Sequence, residues 1–291
     1  MTAASAEPEE VRLKAADGRV LAGSFLSAVQ PRGALVINSA TGFLRGFYLK
    51  FARYCAQRGY HTLIYDYRGM GESALAPLAR EPARMSDWGL LDMPAALDWL
   101  AARCPALPLY TLGHSVGGQL VGAMPNQHLA RAHVMVATST GYWRREQLRL
   151  RYLALAFWQV WGPLMLRRHG FVPRGFVWRG EPLPPGVFSQ WRAWCLSPAC
   201  YGPQLDPAFA TARFDAVRGP LLAWGFADDP IATPAGLAAL LSSYSAAQVE
   251  QRWTRPAEVG ARSLGHHGFF RERYRDSLWC GVLDWIDARS A

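Results

Sequence analysis

The feature that most constrains this chain is a rhythm. Short apolar runs alternate with segments of helical spacing, and only a few folds accept that order. Strands are expected at Val20 to Ala28, Ala34 to Ser39, Thr62 to Tyr67, Leu107 to Leu112 and His133 to Ala137. Between them lie expected helices at Tyr48 to Gln57, at Asp87 to Arg103 (Leu90, Leu91, Leu97 and Leu100 on one side) and at Val116 to Met124. Strand–helix alternation at this pace means crossover connections, and hence a largely parallel sheet with both faces covered.

The rhythm stops near Thr140 and resumes after about Ala212. The interval holds six of the twelve tryptophans (Trp143, Trp158, Trp161, Trp178, Trp191, Trp194) and breaks such as Pro182 to Gly186, and reads as helical pieces without a strand. A strand at Leu221 to Trp224, a helix at Thr233 to Tyr244, a strand at Val249 to Trp253 and a helix from Arg271 to Arg289 complete the pattern. The expected organisation is an α/β core of residues 1–139 and 213–291, with residues 140–212 inserted as a helical cap or lid.

Composition removes several classes. With 51% hydrophobic and 18% charged residues in 291, the chain has material for a full core and is not disordered. The five cysteines (Cys55, Cys104, Cys195, Cys200, Cys280) are odd in number and scattered, which argues against a disulfide framework or zinc site and for a reducing cytosol. Met1 to Glu10 carries three glutamates and no apolar run, unlike a signal peptide. Tyr152 to Leu166, broken by Gln159 and Gly162-Pro163, is shorter than the roughly 20 residues that span a bilayer, so no stable membrane insertion is expected. The net charge of +9 lacks the lysine-rich tail or basic recognition helix of a nucleic-acid binder. Much of the excess lies between Gly141 and Cys200, where nine arginines face two glutamates. Solvated outer surface is the expected place for those arginines, and an arginine-lined pocket for an anionic substrate is the alternative.

Chemistry concentrates at Gly113-His114-Ser115-Val116-Gly117. This G-x-S-x-G run follows an apolar strand and opens a helix, the context in which glycines permit a sharp turn that projects the serine above the sheet. A helix N-terminus there favours developing negative charge. A serine nucleophile requires a base and an orienting carboxylate, following it in the order acid, then histidine. Gly225-Phe226-Ala227-Asp228-Asp229-Pro230 and Gly265-His266-His267-Gly268 occupy those places.

With these residues in view, the chain resembles the α/β-hydrolase superfamily over nearly its whole length. Asp66-Tyr67-Arg68-Gly69-Met70-Gly71-Glu72-Ser73 is similar to the family's DxRGxGxS loop, and Asn38-Ser39-Ala40-Thr41-Gly42 stands where relatives commonly carry His-Gly. The Gly265 to Phe270 run and the Trp-rich insert resemble a branch of predicted bacterial hydrolases. The resemblance implies an α/β-hydrolase fold: a mostly parallel central sheet, helices on both faces and a helical cap. It implies Ser115 as nucleophile, His266 as base, and oxyanion-hole amides from Val116 and Ala40. For the acid, Asp228 is preferred by its offset from Gly225, and Asp229, which precedes Pro230, is the alternative. His267 is expected to be a cap or core contact, and His114 to pack beneath the pocket. His61, His128, His133 and His169 share no metal-ligand spacing and read as packed or surface residues.

The implied activity is a serine hydrolase that cleaves an ester or thioester of a small-molecule acyl substrate through an acyl-enzyme, with no metal or organic cofactor. An acyltransferase with the same triad, or a non-catalytic binding protein of the same fold, are the alternatives. Serine in the elbow argues against nucleophilic-aspartate chemistry. The sequence leaves oligomeric state open.

Overall fold

Gly33–Asn38 is apolar at consecutive positions and entirely buried, the mark of a strand covered on both faces. In the computed structural model, which describes residues 7–75, 77–200 and 206–289, it lies inside an eight-stranded sheet. The strands are β1 (Glu9–Lys14), β2 (Val20–Leu26), β3 (Gly33–Asn38), β4 (Tyr60–Tyr65), β5 (Leu109–His114), β6 (Ala130–Val136), β7 (Gly219–Phe226) and β8 (Ala247–Thr254). Their order is β1-β2-β4-β3-β5-β6-β7-β8. β2 runs antiparallel to both neighbours, and every other pairing from β4 to β8 is parallel.

The helices α1 (Leu49–Gln57), α2 (Met85–Asp87), α3 (Met93–Arg103), α4 (Val116–Gln119), α5 (Leu148–Ala156), α6 (Gly162–His169), α7 (Pro185–Leu196), α8 (Pro234–Leu241) and α9 (Cys280–Asp287) connect and cover the strands. Local chemistry sets several ends. Thr233 caps α8 by accepting from the Gly236 N–H, with Pro234 at the first helical position. Gly170, at φ +77°, closes α6 behind Arg167, Arg168 and His169.

Alternate strand positions feed two cores. Val36, Leu63, Met135 and Leu221 pack on one face with Trp88 and Leu97. Leu35, Ile37, Ile64 and Leu222 pack on the other with Phe51, Trp279 and Leu283. The edge strands carry Glu9, Arg12 and Lys14 on β1 and Glu250 and Arg252 on β8, charges that discourage further strand pairing. β1 was not among the expected strands, because only Val11 and Leu13 mark it against charged neighbours.

Between β6 and β7 the described chain forms helices and loops, and no strand apart from an isolated bridge joining Val172 and Leu183. The described buried residues of this insertion form no separate core. Trp158, Leu183, Val187, Phe188 and Trp194 are buried in the same cluster as Trp88 and Leu97. Arg68, in the Asp66–Ser73 loop, is held by Asp92 at 2.7 Å and Asp17 at 2.6 Å, and Asp66 accepts from the Arg45 backbone N–H at 2.7 Å, so that loop braces the body.

Candidate active site

The turn after β5 cannot be made by ordinary residues. A Cβ on Gly113 would fall 2.2 Å from the Gly118 nitrogen, and one on Gly117 2.3 Å from the Asn38 carbonyl oxygen. The chain therefore folds sharply onto α4, and Ser115 sits at the apex with φ +54° and ψ −116°. That region is costly for a residue with a Cβ, and the neighbours hold it. The Ser115 N–H donates to Val136 O at 3.0 Å, and its carbonyl accepts from Gly118 and Gln119.

His266 lies on the loop before Gly268–Phe270, and its Nε2 is 3.0 Å from Ser115 Oγ. Its Nδ1 is 2.7 Å from Asp229 Oδ2. A proton on Nδ1 satisfies the carboxylate and leaves Nε2 to accept from the serine hydroxyl, which assigns the tautomer. The other Asp229 oxygen accepts from the N–H groups of Ile231 (2.8 Å) and Ala232 (3.0 Å). Burial raises the Asp229 pKa, but His266 and those two amides outweigh it, and the net shift is downward.

The preference for Asp228 is corrected by this geometry, since the carboxylate on the imidazole belongs to Asp229. Asp228 instead accepts from Ser263 Oγ (2.7 Å) and from the N–H groups of Leu264 (2.9 Å) and Gly265 (3.1 Å). It holds the backbone of the histidine loop. The distinction depends on how the turn after β7 twists, which an offset from Gly225 does not encode. His267 makes no hydrogen bond to Ser115. Its ring packs 4.7 Å from Phe43, and burial depresses its pKa to about 4.

Ala40 is also corrected. Its N–H donates to Tyr48 Oη at 2.8 Å, because a buried donor must find a partner and Tyr48 supplies one. Tyr48 Oη lies 2.9 Å from His114 Nδ1, and His114 Nε2 lies 2.9 Å from the His266 carbonyl oxygen. The polarity follows from the chain's ends. Nε2–H donates to the carbonyl, so Nδ1 accepts from Tyr48, whose oxygen accepts from Ala40. Two amides remain directed elsewhere: the N–H groups of Val116 and Thr41 have no acceptor among the described residues, and both residues line the cavity beside Ser115.

That cavity, about 580 Å³, opens over Ser115. Its walls come largely from the insertion. Phe157, Trp158 and Trp161 share one π-helical turn, with Trp178 and Trp191 opposite. Trp178 approaches the loop after β3 so closely that a Cβ on Gly42 would lie 2.5 Å from its ring. None of the nine arginines lines the cavity, in keeping with their expected place on the outer surface. Four of the six tryptophans do, more than a reading of them as cap core first suggests. One acid, Glu146, lines it as well, and no motif pointed to that residue. Tyr48 was equally invisible, being one of many aromatic residues in a helical run.

Among the described residues, the one set of ligand atoms close enough for a metal is that of His114, His266 and His267. Both nitrogens of His114 and of His266 are already hydrogen-bonded, so this set does not fit an ion. His133 is a core residue bonded to Thr111 Oγ1 at 2.8 Å, and Cys55, Cys104, Cys195 and Cys280 form no disulfide among the described residues. No helix among the described residues is long and apolar enough to cross a membrane.

Comparison with known proteins agrees with this architecture. Residues 29–172, just under half of the chain, match the family described as serine aminopeptidase, S33. A soluble variant of monoglyceride lipase from Saccharomyces cerevisiae superposes with a TM-score of 0.69 at 14% identity, covering 100% of this chain and 97% of that one. A carboxyl esterase from Bacillus coagulans gives 0.63 at 14% identity, covering 98% and 99%. An esterase from Pyrococcus furiosus gives 0.63 at 13%, covering 98% and 93%. No curated protein matches the chain in sequence. The sheet order, the insertion after β6 and the turn at Ser115 define an α/β-hydrolase fold.

Proposed function

We propose that the protein is a serine hydrolase that cleaves carboxylic esters or thioesters of small, largely apolar acyl substrates through an acyl-enzyme. The observation that carries this reading is the hydrogen-bonded line Ser115–His266–Asp229, whose serine lines an aromatic cavity. The esterases and the monoglyceride lipase that share the fold support it.

In this mechanism Ser115 Oγ attacks the carbonyl carbon as its proton passes to His266 Nε2, and Asp229 stabilises the imidazolium through Nδ1. The oxyanion is received by the Val116 and Thr41 N–H groups, the former at the N-terminus of α4. The imidazolium then protonates the leaving alcohol or thiol. A water, deprotonated by the same imidazole, attacks the acyl carbon; the Ser115 Oγ–carbon bond then breaks as the imidazolium returns the proton to Oγ, releasing the acid. Residues 140–212 act as the cap that makes the acyl site apolar.

A fluorophosphonate probe and a chain-length panel of esters and thioesters test the proposal. Wild-type protein should label at Ser115 and turn over part of the panel, releasing the free acid. Ser115→Ala should do neither while keeping its melting temperature within a few degrees, since one hydroxyl is lost. Turnover by purified Ser115→Ala near the wild-type rate would end the acyl-enzyme mechanism.

A further inference from the structure

Glu146 sets a problem that the triad does not solve. It follows the short turn at Trp143–Arg145, and its chain neighbour Gln147 donates its N–H to Pro230 O at 3.0 Å, next to Asp229. The side chain is 6% exposed and lines the cavity that opens over Ser115. Neither carboxyl oxygen has a hydrogen-bond partner among the described residues, and Oε2 is wholly buried. Arg151, the arginine best placed to pair with it, donates Nε to the Glu146 backbone carbonyl at 2.8 Å instead. A buried polar group without a partner is destabilising, so such a group at a binding cavity calls for a ligand atom. Burial, and then the nearby Asp229 charge, push its pKa up to about 8, with Arg151 opposing. At neutral pH the Glu146 carboxyl is therefore neutral and can both donate and accept.

We infer that Glu146 is a specificity-determining residue that recognises a hydroxyl group on the substrate, so the natural ester is hydroxylated rather than a plain alkyl ester. The inference rests on the cavity being the substrate site of the proposed hydrolase. A hydroxyl matches a neutral carboxyl in both directions, giving its hydrogen to the acid's carbonyl oxygen and receiving the acid's proton. An ammonium group is the less suitable occupant, because the insertion carries nine arginines against two glutamates between Gly141 and Cys200. A carboxylate is disfavoured by Asp229 nearby and by the lack of any arginine in the cavity wall.

The test uses matched esters of one length: an alkyl ester, hydroxyl esters with the group moved carbon by carbon along the acyl chain and then the alcohol, and amino esters of the same positions. Wild type, Glu146→Gln and Glu146→Leu are compared by kcat/KM, each with its fluorophosphonate labelling rate. At one hydroxyl position the wild type should exceed its alkyl rate by about tenfold or more, as expected when a buried polar partner is otherwise left unpaired. Glu146→Gln should keep that preference, because an amide also donates and accepts. Glu146→Leu should lose it and cleave the alkyl ester at least as well. No preferred position in wild type, or a preference unchanged in Glu146→Leu, overturns the inference. So does a preference for an amino ester that Glu146→Gln abolishes. If Glu146→Leu does not fold, loss of the wild-type hydroxyl preference in Glu146→Gln overturns it too. Labelling without discrimination refutes this inference alone, whereas absence of both labelling and turnover refutes the hydrolase reading and takes this one with it.

Discussion

Asp228 and Asp229 stand side by side in the chain and hold different things. Asp229 has one oxygen on the imidazole and the other on two amides, so its orientation is over-determined. Asn at position 229 can donate to Nδ1 and favours the tautomer that cannot accept the serine proton. Asp229→Asn should therefore lower kcat by about 10³–10⁴-fold. Asp228→Asn leaves the tautomer intact but weakens three hydrogen bonds to the histidine loop. Its activity should fall tenfold or less, with a stability loss of about 1–3 kcal/mol. Kinetics and thermal melts of the two variants decide the matter, and losses of equal size would contradict the division of roles. His266→Ala should lose turnover, while His267→Ala, which removes a ring packed on Phe43, should retain most of it.

At the scale of elements, the site is assembled by a buried polar chain that no single element contains. Ala40 follows β3, Tyr48 precedes α1, His114 ends β5 and His266 lies beyond β8. The hydrogen bonds Ala40–Tyr48–His114–His266 tie the loop that bears Thr41 to the loop that bears the imidazole. Tyr48→Phe leaves the Ala40 N–H and His114 Nδ1 unpaired in a dry interior. It should cost about 1–3 kcal/mol of stability and slow probe labelling, although residue 48 never meets substrate. A variant that labels at the wild-type rate would show that the two loops are positioned independently. Gly117→Ala is the steric counterpart. Its Cβ would meet backbone rather than a pliable side chain, so the expected outcome is no folded protein by circular dichroism.

For the whole molecule, the unpaired Glu146 has a consequence for stability. Its folded pKa of about 8 lies above the ordinary glutamate value of 4.5. Between those limits the folded state holds a proton that the unfolded state has released, so stability falls as pH rises from about 4.5 to 8. Glu146→Gln removes that dependence. Its gain in melting temperature over wild type should be small at pH 5 and grow to a few kcal/mol equivalent at pH 8. Histidines act in the opposite direction. Burial depresses His133 to about 4, so the unfolded state binds the extra proton below about 6.5, and stability is lost as pH falls through that window. A gain from Glu146→Gln that is the same at both pH values would show the carboxyl to be already paired.

From β2 onward the alternation of strands and helices, the largely parallel sheet and the break in that rhythm after β6 were legible in the sequence, because hydrophobic period and glycine placement are properties of neighbouring residues; β1 was not. Ser115 was legible because a strand, a tight turn and a helix are encoded within a dozen positions, whereas His266 was singled out by its place between the last strand and the last helix and by the family resemblance. The acid was narrowed to two adjacent candidates and no further, since the choice depends on how the turn after β7 twists. Ala40 stood at the expected register, but its N–H was claimed by a tyrosine eight residues on, a contact set by how α1 docks on the sheet. The tryptophans announced an aromatic insertion, yet only its packing against the body decided which rings face the cavity. Glu146 was one of two acids among nine arginines in its segment, and nothing local distinguished it from a solvated side chain. Its burial, its lack of a partner and its place in the wall of the cavity that opens over Ser115 are products of contacts between distant segments, which residue spacing along one chain does not specify.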